Sequence, residues 1–336
     1  MGNTGPEGNV PRAASGDAGG RLRRPGGVAG EGRAERQTFP LVPRRRLVGL
    51  PFGDLPSRRR GHGSDVIGTR PYEIGDPVST IDWFASARLS AATGRDEFVV
   101  RDHAADEAPR VVIVCDRRPA MGIYEPPLPW LSKPQVVVEA TAALVTSAIA
   151  ARADVASLDY GEGEPHWLPP GRKDVPWFVQ ERQATAPFAA GDDNLTVALT
   201  FLGQLHSDLP TGAFVFVLSD FLVPPPADAW LDAAAHGWDL VPVVIQDPVW
   251  EQSFPDVGSV ALPIVDPRTG RTDLVRLSRA EARALRDRNE SRLARLHAEL
   301  VSLDLEPVIL GTSDPFEIDR AFVEWAELRR VSRWAR

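Results

Sequence analysis

The sequence predicts an α/β fold, a mostly parallel sheet with helices on both faces. Two observations predict it. Continuous apolar runs that end in aspartate, such as RVVIVCD (110–116) and AFVFVLSDF (213–221), are typical of strands buried on both faces of a sheet. After about residue 106, such runs alternate with segments of helical periodicity, as in parallel sheets whose strands are connected by helices.

The longest apolar segment is predicted to be a core helix. The helix is expected over 133–152, since Pro134 suits a first helical turn. Its apolar stretch, VVVEATAALVTSAIAA at 136–151, contains Glu139 and is shorter than the about 20 apolar residues that a membrane-spanning helix needs. The segment therefore predicts a helix buried in a protein core.

The remaining elements follow from the same two periodicities. Strands are predicted at 154–161, 166–171, 238–247, 260–277 (a hairpin that turns at Arg-Thr-Gly) and 306–311. Helices are predicted at 175–183, 194–206, 227–237, 279–302 and 315–330. The segment 166–171 is expected to pair with 154–161 as a hairpin, and Gly237 is expected to close its helix.

Three regions are predicted: a disordered basic tail (1–46), a small β-rich module with short strands (47–106) and the α/β domain (107–330). The tail holds ten glycines before position 33 and almost no aliphatic clusters, so it buries too little surface to offset its conformational entropy. Residues 1–60 carry 12 arginines and five acidic residues, a net charge of +7, which leaves −15 for the remainder. An acidic folded part argues against a nucleic-acid groove.

The sequence also predicts the compartment. Cys115 is the single cysteine, which excludes an intramolecular disulfide and favours a reducing environment. The N-terminus shows no apolar signal-peptide segment, and no run is long enough to span a membrane. We expect a soluble, cytoplasmic protein.

The strand ends carry the candidate chemistry. Ligands of parallel sheets bind at the carboxyl ends of the strands, where this sequence places Asp116, Asp220 and Asp247. The phosphate-loop, H-E-x-x-H and G-x-S-x-G motifs are absent, and the six histidines lack metal-ligand spacing. The pattern excludes the common nucleotide, zinc-protease and serine-hydrolase sites.

The strand-end pattern resembles the metal-ion-dependent adhesion site of von Willebrand factor A domains, in which Asp-x-Ser-x-Ser, a threonine loop and a final aspartate bind magnesium. Asp116 and Asp220 match the two aspartates, Asp193 is placed at the threonine, and Arg118 and Ala120 replace the serines. Converging carboxylates need a metal, a proton or a fixed cation. We predict a degenerate, metal-free site neutralised by Arg118, with retained metal binding as the alternative.

A second motif, RPYEIGDPVSTIDWFASAR (70–88), resembles the signature of the bacterial family called domain of unknown function 58. The matching residues are Arg70, Tyr72, Gly75, Asp76, Ile81, Asp82, Trp83, Ser86, Ala87 and Arg88. The resemblance implies a von Willebrand factor A-like (Rossmann-like) domain and a MoxR-type AAA+ ATPase as partner, and it implies no established catalytic activity or cofactor.

The signature is interpreted as a structural clamp. Asp76 followed by Pro77 predicts the start of a helix. Arg70, Asp82 and Arg88 are expected to form a set of ion pairs with Trp83 packed beneath them. The alternative, a catalytic carboxylate pair, needs a cleft that the sequence does not reveal.

The sequence thus predicts a non-enzymatic protein-interaction module or adaptor that works with a MoxR-type ATPase. The alternative is a metal-dependent hydrolase that uses Asp116, Asp193 and Asp220.

Overall fold

Along the chain, a region with strands comes first, and strands then alternate with helices, as the sequence predicts. The computed structural model describes residues 36–44, 50–73, 76, 78–123, 131–205 and 209–334. These residues belong to one compact unit, Arg36–Arg336. The prediction of a disordered tail falls largely on 1–35 and 45–46, which lie outside the described residues.

The bounds of the elements agree closely with the periodicity of the sequence. The strands are β1 (Leu50–Pro71), β2 (Val99–Ala108), β3 (Arg110–Cys115), β4 (Asp154–Asp159), β5 (His166–Gly171), β6 (Phe214–Ser219), β7 (Asp239–Ile245), β8 (Val260–Val265), β9 (Thr272–Leu277) and β10 (Val308–Leu310). The helices are α1 (Trp83–Thr93), α2 (Lys133–Ala150), α3 (Val175–Thr185), α4 (Asn194–Gln204), α5 (Ala227–Ala235), α6 (Arg279–Ser302) and α7 (Pro315–Trp334).

The central sheet formed by the described residues has six strands in the order β10-β7-β6-β3-β4-β5. Neighbouring strands are parallel except β5, which runs antiparallel to β4 as the predicted hairpin partner. The prediction of a mostly parallel α/β sheet is confirmed. Strands β8 and β9 form a separate antiparallel pair, as predicted for 260–277.

Helices cover both faces of this sheet. Val111 and Ile113 of β3 pack in a core with α2, α3 and α7. Val112 and Val114 pack in a second core with α4, α5 and the C-terminal part of α6. Alternate side chains of each central strand are therefore buried on opposite faces, which explains why these strands are continuous apolar runs.

The region before the sheet differs from the predicted module of short strands. Strand β1 extends over 22 residues and pairs antiparallel with β2. The pairing shifts register at four places along β1. Irregular pairing of this kind tolerates the glycines and prolines that the sequence presents as turn signals.

Residues 36–44, which the sequence assigns to the tail, are an ordered part of the fold. Phe39 is 3% exposed and stacks on Phe322 of α7 with ring centroids 5.0 Å apart. Arg36 donates a hydrogen bond to the Glu139 carbonyl at 2.6 Å and pairs with its carboxylate. The prediction of disorder is wrong for these residues. Their few apolar side chains lie next to prolines and show no helical or strand periodicity, so the sequence pattern does not indicate that they are ordered.

Candidate functional site

The site begins at the carboxyl ends of β3 and β6, which are adjacent and parallel. Asp116 follows β3 and Asp220 follows β6, and both side chains are fully buried. The Asp116 N–H donates to the Leu218 carbonyl at 2.9 Å, so the sheet register itself places the two aspartates side by side. Two buried carboxylates at such close range require positive charge between them.

Arg118 supplies that charge. Its Nη2 lies 2.6 Å from Oδ2 of Asp116 and 2.6 Å from Oδ1 of Asp220. Its Nε lies 2.9 Å from the same Asp116 oxygen, which completes a two-pronged contact. Arg118 is only 3% exposed, so one buried guanidinium joins the two strand ends.

A second cation reaches the site from helix α2. Nζ of Lys133, in the first turn of that helix, lies 2.8 Å from Oδ2 of Asp220 and 2.5 Å from Oε1 of Glu251. Oε2 of Glu251 accepts from the Asp247 N–H at 2.9 Å. Asp116, Arg118, Asp220, Lys133 and Glu251 thus form a continuous row of alternating charge, called the charge chain below.

The pKa values follow from burial and from these neighbours. Burial by itself raises the pKa of Asp220, but Lys133 and Arg118 outweigh it and hold the pKa below its ordinary value. Burial likewise lowers the pKa of Lys133, but Asp220 and Glu251 raise it above the ordinary value. For Glu251, burial dominates over Lys133 and the pKa is raised. Asp220 and Lys133 are therefore held as a charged pair.

The sequence places the wrong residue of the loop before α4 at the site. Asp193 is exposed and its side chain makes no capping hydrogen bond. The next residue, Asn194, is 4% exposed and its Nδ2 donates to Oδ1 of Asp116 at 3.1 Å. Its Oδ1 accepts from the Arg117 N–H at 3.3 Å. The sequence does place Asn194 directly before the buried Leu195. Counting back from the apolar positions of α4, however, does not decide whether residue 193 or residue 194 faces Asp116.

The hydroxyl group that binds Asp116 does not come from a serine position of the adhesion-site pattern. Ala120, which stands at a serine position of the adhesion-site pattern, is half-buried in a 3-10 turn (Pro119–Met121). Oγ of Ser219 donates to Oδ2 of Asp116 at 2.7 Å instead. Sequence reasoning missed Ser219 although it directly precedes Asp220.

The residues present do not fit a divalent metal ion. Both oxygens of Asp116 and both of Asp220 already accept hydrogen bonds from Arg118, Lys133, Asn194, Ser219 or the backbone. Magnesium prefers free, hard oxygen ligands, and a guanidinium and an ammonium would repel it. Within the described ranges, no group of three or more His, Cys, Asp or Glu residues is placed to hold a metal ion.

Two other strand-end carboxylates also have partners within the fold. Asp159, the last residue of β4, accepts from Arg182 at 2.8 and 2.9 Å, and the fully buried Arg117 lies 4.0 Å away. Burial raises the pKa of Asp159, but these arginines and a backbone N–H lower it below the ordinary value. Asp247, beyond β7, accepts from the N–H groups of the turn that follows it. These carboxylates serve the architecture of the sheet edge.

Comparison with known families decides where the chain belongs. Residues 68–298 match the family described as "protein of unknown function DUF58". The chain belongs to the DUF58 family. No curated protein matches it.

Three solved structures resemble this DUF58 protein, each over 66% of its chain. Conserved hypothetical protein BatB from Bacteroides thetaiotaomicron is 13% identical, with a TM-score of 0.38 and 100% of that chain covered. An aerotolerance-related membrane protein from Bacteroides fragilis is 12% identical (TM-score 0.37, 100% covered). The pilus adhesin SpaC from Lactobacillus rhamnosus GG is 9% identical (TM-score 0.39, 30% covered). In the described part of the DUF58 protein, no helix combines the length and apolar character of a membrane span.

The signature of this DUF58 protein forms two separate ion pairs. Arg70 binds Asp76 through two hydrogen bonds of 2.7 and 2.6 Å. Asp82 accepts from Arg101 at 2.9 Å. The predicted set of Arg70, Asp82 and Arg88 is wrong, since Arg88 is exposed and forms no ion pair with any described residue. Arg101 could not be identified as the partner, because the strand that carries it returns 19 residues later.

A 3-10 turn (Val78–Thr80) follows Asp76 and Pro77, where the sequence predicts a helix start, and the α-helix of the signature begins later. Asp82, not Asp76, is the N-cap of α1, and its Oδ1 accepts from the Ala85 N–H at 3.0 Å. The Asp76 carboxylate accepts instead from the Glu73 N–H at 2.9 Å, and so closes the preceding turn. Gly75 lies outside the described residues.

Of the aromatic residues of the signature, Trp83 lies at the surface and Tyr72 is half-buried. Trp83 is 60% exposed and contacts Phe98 edge to face at 6.1 Å, and Tyr72 contacts the same ring at 6.4 Å. The prediction that Trp83 packs beneath the ion pairs is wrong. The buried residue of α1 is Ser86, whose Oγ accepts from the Val99 N–H at 2.9 Å and anchors the helix to β2.

The register of the α4 loop gives a direct test. We expect Asn194→Ala to lower the free energy of unfolding by about 1–3 kcal/mol, because it leaves the buried Arg117 N–H without its acceptor. Asp193→Ala is the matched control and is expected to change it by less than about 0.5 kcal/mol, since this side chain is exposed. Urea denaturation measures both, and equal losses would contradict the assignment.

Proposed function

We propose that this DUF58 protein is a non-enzymatic interaction module or adaptor built on a von Willebrand factor A-like domain. In this proposal, Arg118 occupies the place that magnesium holds in the adhesion site of such domains. The observation that carries it is the position of the Arg118 guanidinium, whose Nη2 is 2.6 Å from an oxygen of each strand-end aspartate. A fixed cation makes the site permanently charged and independent of metal.

The chemistry of the charge chain supports a non-enzymatic role. A catalytic carboxylate pair needs environments that separate the two pKa values and access for the substrate. Asp116 and Asp220 share one guanidinium and are fully buried. The rival hydrolase also requires Asp193, whose side chain is exposed and outside the charge chain.

The proposed partner is a MoxR-type AAA+ ATPase, and the proposed compartment is the cytoplasm. The support for this partner is analogy with the DUF58 family. A tagged protein expressed in its native host should co-purify with such an ATPase, as identified by mass spectrometry. Repeated recovery without the ATPase, in a host that produces one, would contradict the proposed partner.

The metal-independent site predicts a simple result. We expect millimolar magnesium or manganese to leave the melting temperature of the wild-type protein unchanged, because a ligand stabilises a fold only by binding it. Differential scanning calorimetry with and without a chelator measures this. A concentration-dependent rise that saturates, and that the chelator reverses, would overturn the proposal and favour the hydrolase.

A further inference from the structure

A groove on the lateral edge of the central sheet is separate from the charge chain. It lies between α6 and α7, along the outer side of β10, and has a volume of about 620 Å³. Its walls include Val301 of α6 and Trp325 and Leu328 of α7, and Ile309 of β10 lies on its floor. The groove is therefore a channel with two helical walls and a strand at its base.

The strand at the base has an open edge. In the sheet of the described residues, β10 pairs with β7 on one side and with no described strand on the other. The Leu310 carbonyl accepts from the Gln246 N–H at 3.2 Å, on the β7 side. Because successive residues of a strand direct their N–H and C=O groups to opposite sides, those of Ile309 face away from β7. An open edge of this kind is a template for a further strand.

The lining of the groove includes large apolar side chains that are exposed to solvent. Leu328 is 72% exposed, Val301 54% and Ile309 43%. Large apolar side chains that converge on one concave surface are typical of sites that bind another chain. Apolar contacts with alternate side chains of an added strand would supply affinity that the short edge of β10 lacks.

The polar lining of the groove is acidic. The side chains of Asp304, Glu306 and Glu324 line it with exposures of 72%, 39% and 66%. Each of these carboxylates also lies near an arginine outside the groove lining, Arg44 for Asp304 and Glu306 and Arg320 for Glu324. The lining arginine, Arg329, is 3% exposed and is bound both to the β7 carboxylate Asp239 and to Glu306, so Asp304 and Glu324 are the more accessible acids of the lining. An incoming chain therefore meets more accessible negative than positive charge.

We propose that this groove binds an extended segment of a partner protein, which adds a strand to the open edge of β10. Alternate apolar side chains of the segment pack against α6 and α7, and its lysines or arginines lie beside the carboxylates. The inference rests on the proposed function only in treating the chain as an interaction protein. Peptide binding and the magnesium test can each fail without the other.

The test uses synthetic peptides and the full chain. The probes are fluorescent peptides of about six residues, the length of an ordinary strand, that alternate lysine with valine, isoleucine, leucine or phenylalanine. We expect at least one to bind with a Kd below about 1 mM. Two control peptides accompany it: one with glutamate in place of lysine, and one whose backbone N–H groups on one edge are methylated. We expect each change to weaken binding at least about tenfold.

Variants of exposed residues locate the binding site with little risk to folding. Leu328→Lys should weaken binding at least about tenfold, and Leu231→Lys, on α5 with 55% exposure, is its matched control. Glu324→Lys should weaken binding several-fold at low salt and less at high salt. Its control is Glu327→Lys, which changes the same charge on α7 outside the groove lining.

Each contrary outcome overturns the proposal. Absence of binding by every peptide of the set would overturn the site. Full affinity of the methylated peptide, or preference for a helical peptide of the same composition, would overturn strand addition. Equal losses in the groove variants and in their controls would place any binding elsewhere.

Discussion

Replacing Arg118 with alanine is expected to lower the free energy of unfolding by about 3–5 kcal/mol, the usual cost of removing one partner of a buried ion pair. The guanidinium contacts Asp116 and Asp220, both fully buried, so its loss leaves two carboxylates facing each other with Lys133 as the remaining cation. Chemical denaturation at pH 7 measures the change.

A matched control separates buried from exposed pairing. Arg172→Ala removes a contact with Asp154 in which the arginine side chain is 39% exposed. Surface ion pairs of this kind contribute about 0–1 kcal/mol. A comparable loss in the two variants would contradict the central role assigned to Arg118.

The pH dependence identifies charge as the cause of the loss. The pKa of Asp220 is lowered in the folded state, chiefly by Lys133 and Arg118 against the opposing effect of burial. Its contribution is therefore fully present above the unfolded pKa of about 4 and is lost as the pH falls through the lower folded value. The difference between wild type and Arg118→Ala should shrink as the pH falls below about 4. A constant difference would indicate lost packing instead.

Most of the fold was predictable because its signals are local. The runs at 110–116 and 213–221 are buried on both faces, so their composition alone marks them as central strands. Ser278 is the N-cap of α6 and forms a capping box with Glu281, a signature readable within four consecutive residues. Such features depend on neighbours in sequence, which a single chain displays.

The site was predictable only in part because its contacts are long-range. Asp116 and Asp220 are found from the rule that parallel strands end at one edge. Lys133 lies 87 residues from Asp220 and 118 from Glu251, and no local pattern links them. The place of Asn194 depends on a one-residue register that helical spacing does not resolve. The signature motif failed differently, since a motif names residues without stating which of them are buried, as Trp83 illustrates.

The segment 36–44 carries the last expected result. Phe39→Ala should lower the free energy of unfolding by about 3–5 kcal/mol, the usual cost of removing a buried phenylalanine ring. The ring is stacked on Phe322 and meets Trp325 edge to face at 6.1 Å. It belongs to the core that includes α2 and α7, although it lies outside the matched range 68–298.

The matched control for Phe39 is Phe316→Ala, since Phe316 of α7 is 68% exposed. Its replacement should change the free energy of unfolding by less than about 0.5 kcal/mol. Guanidinium denaturation of both variants, with the midpoint and the slope compared, measures the difference.

A Phe39→Ala protein as stable as the wild type would mean that the segment is detached from the core in solution. The tail prediction would then hold for these residues after all. A large loss would instead make residues 36–44 a required part of the folding unit, because Phe39 and Leu41 pack in the same core as α2 and α7.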